Sequence, residues 1–394
     1  MAQFDYDLLV IGAGSGGVGL ARRAASHGAK VAVCEESAYG GTCVHRGCVP
    51  KKLMVYASSL RDELGLLPGY GYSSVQSDFD WSRMLSNIHQ ELDRLNGVYT
   101  RLLDGSEVAR LEGRARLLDA HRVEVGSQQV TARYLAIAVG GKSFVPDFPG
   151  SQLALTSDDL FQLPHLPASV TLQGSGYIGL EFASIFAGLG SKVTVTFRSS
   201  KPLPDFDEEV RSFLLERMQA RGVEFRVSQG IRELRPRDGG LEIVSDKDSW
   251  TSEIYVCATG RIPNTQGLGL VEAGVKLGER GRVEVDSLCR TSVDNIFAIG
   301  DCCGGVQLTP YAIAQGRALA ERLFGDAQAR FEPAHIPTAV FTQPAVGVVG
   351  LGEEAAEEQF PGDVDSYKAV FRPMKYTLPD KPEKTLMKLV VRRS

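Results

Sequence analysis

The sequence predicts an α/β protein that holds two doubly wound, dinucleotide-binding units. Three observations predict it: a strand, glycine turn and helix at the N-terminus, a second copy of that pattern around residue 174, and a length of 394 residues. One hydrophobic core rarely serves more than about 250 to 300 residues, so two or three domains are expected. With 43% hydrophobic and 23% charged residues the composition is that of an ordinary globular protein, which disfavours disorder and a membrane-embedded chain.

The first unit runs from Asp7 to Glu36. DLLVIG reads as a strand, GAGSGG as a tight turn, VGLARRAASHG as a helix and KVAVCE as a second strand. Gly12, Gly14 and Gly17 occupy the GxGxxG places, where missing side chains let backbone approach a pyrophosphate and let the helix pack on the strand. The helix start then faces the negative charge with its N–H groups. Glu35 closes the second strand and can accept hydrogen bonds from a ribose, so a free 2′-hydroxyl is expected, as in FAD or NAD.

The second unit, SVTLQGSGYIGLEFASIFAGLGSKVTVTFRSS, repeats the pattern with Gly174, Gly176 and Gly179. Here Arg198 stands where the first unit has Glu35, and a guanidinium suits a 2′-phosphate, so NADP is expected. Two such Rossmann-like sites in one chain suggest electron transfer between two cofactors. A third segment, NIFAIGDCCGGVQLTPYAIAQGRALAERLFG, offers a strand ending at Gly300 and Asp301, then a helix starting near Thr309 and Pro310, with Thr309 as its expected cap.

A net charge of −5 creates no field that would recruit nucleic acid. The start, MAQFDYDLLVIGAGSGG, lacks the basic region and clean apolar core of a signal peptide, and no apolar run reaches the 18 residues of a spanning helix, so a cytoplasmic location is expected. Seven cysteines, at 34, 43, 48, 257, 289, 302 and 303, are too sparse for a secreted disulfide framework.

GGTCVHRGCVPKK, residues 40 to 52, brings two cysteines within five positions. A structural bridge, a metal half-site and a redox pair are the three readings. No second cysteine or histidine pair at finger spacing accompanies it, which disfavours zinc. Five helical residues span about 7.5 Å along the axis, beyond the usual disulfide Cα distance, so joining Cys43 to Cys48 needs an irregular backbone. Gly40, Gly41 and Gly47 supply that freedom.

With this stretch, GSGYIGLE (174–181), ATGRIPN (258–264), AIGD (298–301), QLTPYAIAQGR (307–317) and PTAVFTQPAVGVVGL (337–351), the chain resembles the class I flavoprotein pyridine nucleotide-disulfide oxidoreductases, and their glutathione reductase branch in particular. The resemblance implies an FAD-binding domain over 1–145, an NADP-binding domain over 146–265, a central FAD-contacting part over 266–335 and an α+β interface domain over 336–394 that makes a homodimer. It selects the redox reading of the cysteines. Cys48 would be the sulfur nearest the flavin and Cys43 the interchange thiol; Lys51 would sit by the flavin, paired with Glu181, and Tyr177 would be a movable ring over it. Implied FAD contacts, besides the first glycine turn, are Ser15, Gly16, Glu35, Thr42, Ala115, Asp301 and Thr309; implied NADPH contacts, besides the second, are Ile178, Arg198 and Gly260.

Arg22, Tyr99 and Arg317 match glutathione-contacting positions, so glutathione disulfide is the expected small-molecule partner, its carboxylates meeting cationic groups. Another disulfide or mercuric-ion reductase, or a non-catalytic FAD-binding protein, are the alternatives. Two departures bear on activity. Pro204 stands where the branch often has a second arginine for the 2′-phosphate, leaving Arg198 with help from Lys201. The sequence ends at KTLMKLVVRRS without the family's His-Pro-Thr segment, and its six histidines, at 27, 45, 89, 121, 165 and 335, lie elsewhere. The expectation is a truncated interface domain, no acid/base histidine, and poor turnover.

Overall fold

The computed structural model describes residues 4–73, 77–331, 333 and 335–393. The chain divides into two compact units, Met1–Pro50 with Ser86–Ser143 and Arg261–Ala334, and Lys51–Leu85 with Phe144–Gly260 and His335–Ser394.

The first unit is built on a seven-stranded sheet. Its parallel part runs Ala109–Glu112, Val31–Glu35, Tyr6–Ile11, then the end of Gln128–Ile137, with Ile296–Ala298 also paired to that last strand. The start of Gln128–Ile137 instead pairs antiparallel with Arg122–Val125, which pairs with Ala115–Leu117. The apolar run near the N-terminus is continuous because both faces of its strand are covered. Leu8 and Val10 point to one core with Val18, Leu20 and Ala24 of the helix Ser15–Ala25, whereas Leu9 and Ile11 point to another with Leu117, Val123 and Leu268. The helix Thr309–Phe324 lies against Ser15–Ala25 so closely that a Cβ on Gly316 would stand 2.6 Å from the Gly16 carbonyl oxygen.

The second unit has a four-stranded parallel sheet in the order Glu224–Val227, Lys192–Phe197, Ser169–Gln173, Ile254–Cys257. The helix Tyr177–Leu189 follows its central strand, and an antiparallel meander, Ile231–Arg237, Gly240–Ser245 and Ser249–Ser252, adjoins it. The third part of the chain adds the hairpin Thr338–Val340 with Val346–Val348, the helix Glu353–Gln359, and the antiparallel pair Val364–Phe371 with Thr385–Arg392. Among the described residues no helix is long and apolar enough to cross a membrane.

Both expected strand, turn and helix units are present, and so is the third strand and helix. Thr309 differs in role: the helix begins at Thr309 itself, and the cap is Leu308, which offers no side-chain bond. With the proline one place later, the chain enters the helix a residue earlier than a capping threonine would allow.

Candidate active site: a thiol pair and two glycine turns

The two cysteines sit on separate helical pieces of the first unit. Gly41–His45 forms one short turn, Arg46 leaves helical geometry at φ −141° and ψ 23°, and a new helix, Cys48–Leu64, starts at the second cysteine. This interruption lets side chains five apart in sequence meet. The Cys43 thiol is hydrogen-bonded to Cys48, and the Cys48 Sγ lies 3.9 Å from Thr309 Oγ1. The bond to Cys48, then burial, push the Cys43 thiol well above the ordinary thiol range, opposed by Thr309. One negative charge on the pair therefore resists a second.

The cysteine loop docks backbone to backbone on the first glycine turn. Gly40 N donates to the Ala13 carbonyl at 2.8 Å, and a Cβ on Gly41, whose φ is +65°, would stand 2.6 Å from the Gly14 Cα. No side chain fits there, so Gly41 is fixed by packing. Tyr99 projects from the helix Trp81–Asp104 to within 3.3 Å of the Cβ position of Gly40. Burial, and then the nearby Cys43 and Cys48, raise its phenol above the usual value.

The two fingerprint turns share one construction. Gly12 has φ +102° and a Cβ there would lie 2.5 Å from the Ala138 carbonyl oxygen; Gly174 has φ +143° and would meet the Ala258 carbonyl at 2.2 Å. Each helix that follows begins after a glycine, Gly14 or Gly176, with no side-chain cap. Their first N–H groups are left for another acceptor, which suits a pyrophosphate in each unit. The residue sets fit FAD in the first unit and NADPH in the second.

Around the first turn, Ser15, Gly16 and Gly17 open the helix, Thr42 lies in the cysteine turn, and Ala115 is buried at the start of its strand. Glu35 is already engaged: Oε2 accepts from Ala13 N at 2.8 Å and Oε1 from Ser37 N and Oγ at 2.9 Å. The carboxylate braces the turn while keeping lone pairs for a ribose. Burial raises the Asp301 carboxyl above its usual range, against the pull of Arg261.

In the second unit Lys51 Nζ lies 2.8 Å from Glu181 Oε1, with both side chains nearly out of solvent. Sequence reasoning missed Phe341, which accompanies both: its N–H donates to Glu181 Oε1 at 2.8 Å and its ring lies 4.2 Å from Lys51 Nζ. Tyr177 opens its helix and is 36% exposed, with Ile178 and Gly179 behind it, and Gly260 holds φ +125°. Arg198 follows its strand exposed and, among the described residues, has no ion-pair partner. Lys201 is committed to Glu208 and to Ser212 Oγ, so it is less able to share a phosphate than the sequence suggested.

Arg22 and Arg317 are exposed on the two packed helices of the first unit, Arg22 donating to Ser106 Oγ at 3.2 Å. Among the described residues no cluster of three histidine, cysteine or acidic groups is placed to hold a metal ion.

The pyridine nucleotide-disulphide oxidoreductase profile matches residues 6–316, and the dimerisation domain of the same family matches 336–394. The chloroplastic/mitochondrial glutathione reductase of Pisum sativum is 44% identical over 99% of this chain and 73% of its own length. The glutathione reductase of Burkholderia cepacia is 41% identical over 100% of this chain and 88% of its own. Among solved structures, the HOCl-induced flavoprotein disulfide reductase RclA of Escherichia coli superposes with a TM-score of 0.88 at 26% identity, covering 98% of this chain and 87% of that one. With a thiol pair against one glycine turn, a second turn of the same build, and matches along nearly its whole length, the chain belongs to the pyridine nucleotide-disulphide oxidoreductase family.

Proposed function

We propose that this chain reduces glutathione disulfide with electrons from NADPH, passed through FAD to the Cys43/Cys48 pair. FAD and NADPH are the cofactors of the family, and when bound they supply the hydride and the two-electron relay. The observation that carries the reading is the hydrogen-bonded cysteine pair held on a broken helix beside a nucleotide turn.

Cys43 as thiolate attacks one substrate sulfur, a bond forms between them, and the first glutathione thiolate leaves and takes a proton. Cys48 then attacks the Cys43 sulfur, the second glutathione departs, and the pair is left oxidised, ready for two more electrons. Thr309 opposes the rise that Cys48 and burial impose on the Cys43 thiol, and to that extent favours the attacking form. Arg22 and Arg317 offer charge to the substrate carboxylates and Tyr99 a phenol beside the thiols. Lys51 and Glu181 set the charge on the nicotinamide side, and Arg198 receives the 2′-phosphate. The assignments 1–145, 146–265, 266–335 and 336–394 describe the FAD, NADP, central and interface parts, the last pairing with a second copy. A reducing cytoplasm is the setting in which such a pair cycles.

The central reading is tested with Cys43→Ser and Cys48→Ser: NADPH should still bleach the flavin in each, and glutathione disulfide should restore its colour only in the unsubstituted protein. Flavin that NADPH leaves unchanged in the unsubstituted protein would make the chain a passive binder.

A further inference from the structure

The first unit contains a second pair of neighbouring thiols that the redox reading does not use. Cys302 and Cys303 follow Asp301 in the short 3₁₀ turn Gly300–Cys303, and their sulfurs stand 3.9 Å apart. Cys302 is 0% exposed, and its Sγ points at the carbonyls of Ile299, at 3.2 Å, and Ile137, at 3.5 Å. Cys303 is partly exposed, and Gly304 and Gly305 follow it at φ +75° and +78°.

The spacing favours a bridging atom over a direct bond. Consecutive Cα atoms lie about 3.8 Å apart, short of the roughly 4.4 to 6.8 Å that a disulfide prefers. Joining these two sulfurs directly would therefore strain the turn. Two sulfurs bonded to one tetrahedral centre at about 2.3 Å are about 3.8 Å apart, close to the separation found here. A pyramidal centre draws them slightly nearer. Zinc would need four ligands, and among the described residues no third ligand is placed to help. A trivalent arsenic that already carries one carbon needs only two sulfurs.

We propose that Cys302 and Cys303 form a second dithiol that captures trivalent organoarsenicals, independently of the Cys43/Cys48 pair. Two As–S bonds form while the As=O bond and two S–H bonds break, and the oxygen leaves as water with both protons. Arsenic stays trivalent and no electrons move. Neutral thiols suffice as reactants, which matters because the hydrogen bond to Cys302, and then burial, hold the Cys303 proton tightly. Entry is through Cys303; Cys302 then gives up its two weak bonds to carbonyls to close the ring. Cys289 is a buried third thiol in electrostatic reach of both, and geometry leaves it out of the bridge.

The test uses flavin-loaded protein carrying Cys43→Ser and Cys48→Ser, phenylarsine oxide as the probe, and intact-protein mass spectrometry. The expected result is one arsenical per chain, removed by 2,3-dimercaptopropanol and retained in a monothiol. Adding Cys302→Val or Cys303→Ala should abolish the adduct, and adding Cys289→Ser should leave it. No adduct, or an adduct that survives both single changes, overturns the proposal. Should the added changes prevent folding, peptide mapping of the parent variant decides: the arsenical must lie on the peptide containing Cys302 and Cys303, and any other location refutes the site.

Discussion

Lys51 and Glu181 meet at 2.8 Å with side chains 9% and 3% exposed. Burial raises the Glu181 carboxyl above its usual range, while Lys51 and the Phe341 N–H pull it back. Such a pair is weak evidence for stability as a whole, but breaking one half leaves a buried charge, at a cost of about 3 to 5 kcal/mol. Lys51→Ala and Glu181→Ala should each lower the urea-unfolding free energy of flavin-free protein by about 3 kcal/mol, with the double change costing less than the sum. Additive losses would show that the two side chains do not act as a pair.

A second buried cation gathers carboxylates in the same unit. Lys388, its side chain 4% exposed, reaches Asp207 and Glu209 at 2.9 Å and Glu353 at 2.6 Å. Burial pushes Asp207 up, but the Glu353 N–H and Lys388 outweigh it and hold its carboxyl low; Lys368 and Lys388 do the same for Glu209, and Lys388 and Ser366 for Glu353. Folded-state values below the unfolded ones, about 3.9 to 4.3, mean that this stabilisation is present above pH 4 and is lost as pH falls through the lowered values. Lys388→Met should therefore cost about 3 kcal/mol at pH 7 and much less at pH 3, read from urea unfolding at both. An equal loss at the two pH values would assign the role of Lys388 to packing.

Gly12→Ala and Gly174→Ala should separate the two proposed nucleotide sites. Each added methyl would lie against a carbonyl oxygen, 2.5 Å from that of Ala138 or 2.2 Å from that of Ala258, at a φ that side chains avoid. The first should yield protein with little bound flavin, judged by the visible-to-ultraviolet absorbance ratio. The second should keep its flavin and raise the KM for NADPH more than about tenfold, a loss of at least about 1.4 kcal/mol of binding. Flavin loss from both alike would mean that the turns are structurally coupled.

On the proposed reading Arg198 is the residue that chooses between NADPH and NADH, since Lys201 is held by Glu208 and Ser212. Arg198→Ala should reduce kcat/KM for NADPH about 10- to 100-fold and leave that for NADH within about twofold, since one charge-assisted bond is worth about 1.5 to 3 kcal/mol. Lys201→Ala should change the ratio little. Parallel losses with both nucleotides would move specificity elsewhere.

The parts of this molecule that could be read from its sequence are the local ones. Strand, glycine turn and helix follow from apolar periodicity within about 30 residues, and the three expected units fall where the pattern places them. The cysteine stretch revealed its need for an irregular backbone through its glycines, and the break falls at Arg46. Long-range partners left no such trace. Phe341 reaches Glu181 from 160 positions away, and Lys388 gathers carboxylates from 35 to 181 positions away, in each case by packing of distant segments. Thr309 resembles a capping group in sequence because a threonine stands directly before Pro310, yet the helix takes it in as its first residue.

The carbonyl of Ala138 standing over Gly12 has an evolutionary implication. What forbids a larger residue there is the protein's own main chain, so selection for folding alone would preserve that glycine in a descendant that had stopped carrying any nucleotide. Such a lineage would advertise a cofactor it no longer used, and drift at the uncapped helix start, rather than at the glycine, would be the first sign of the loss.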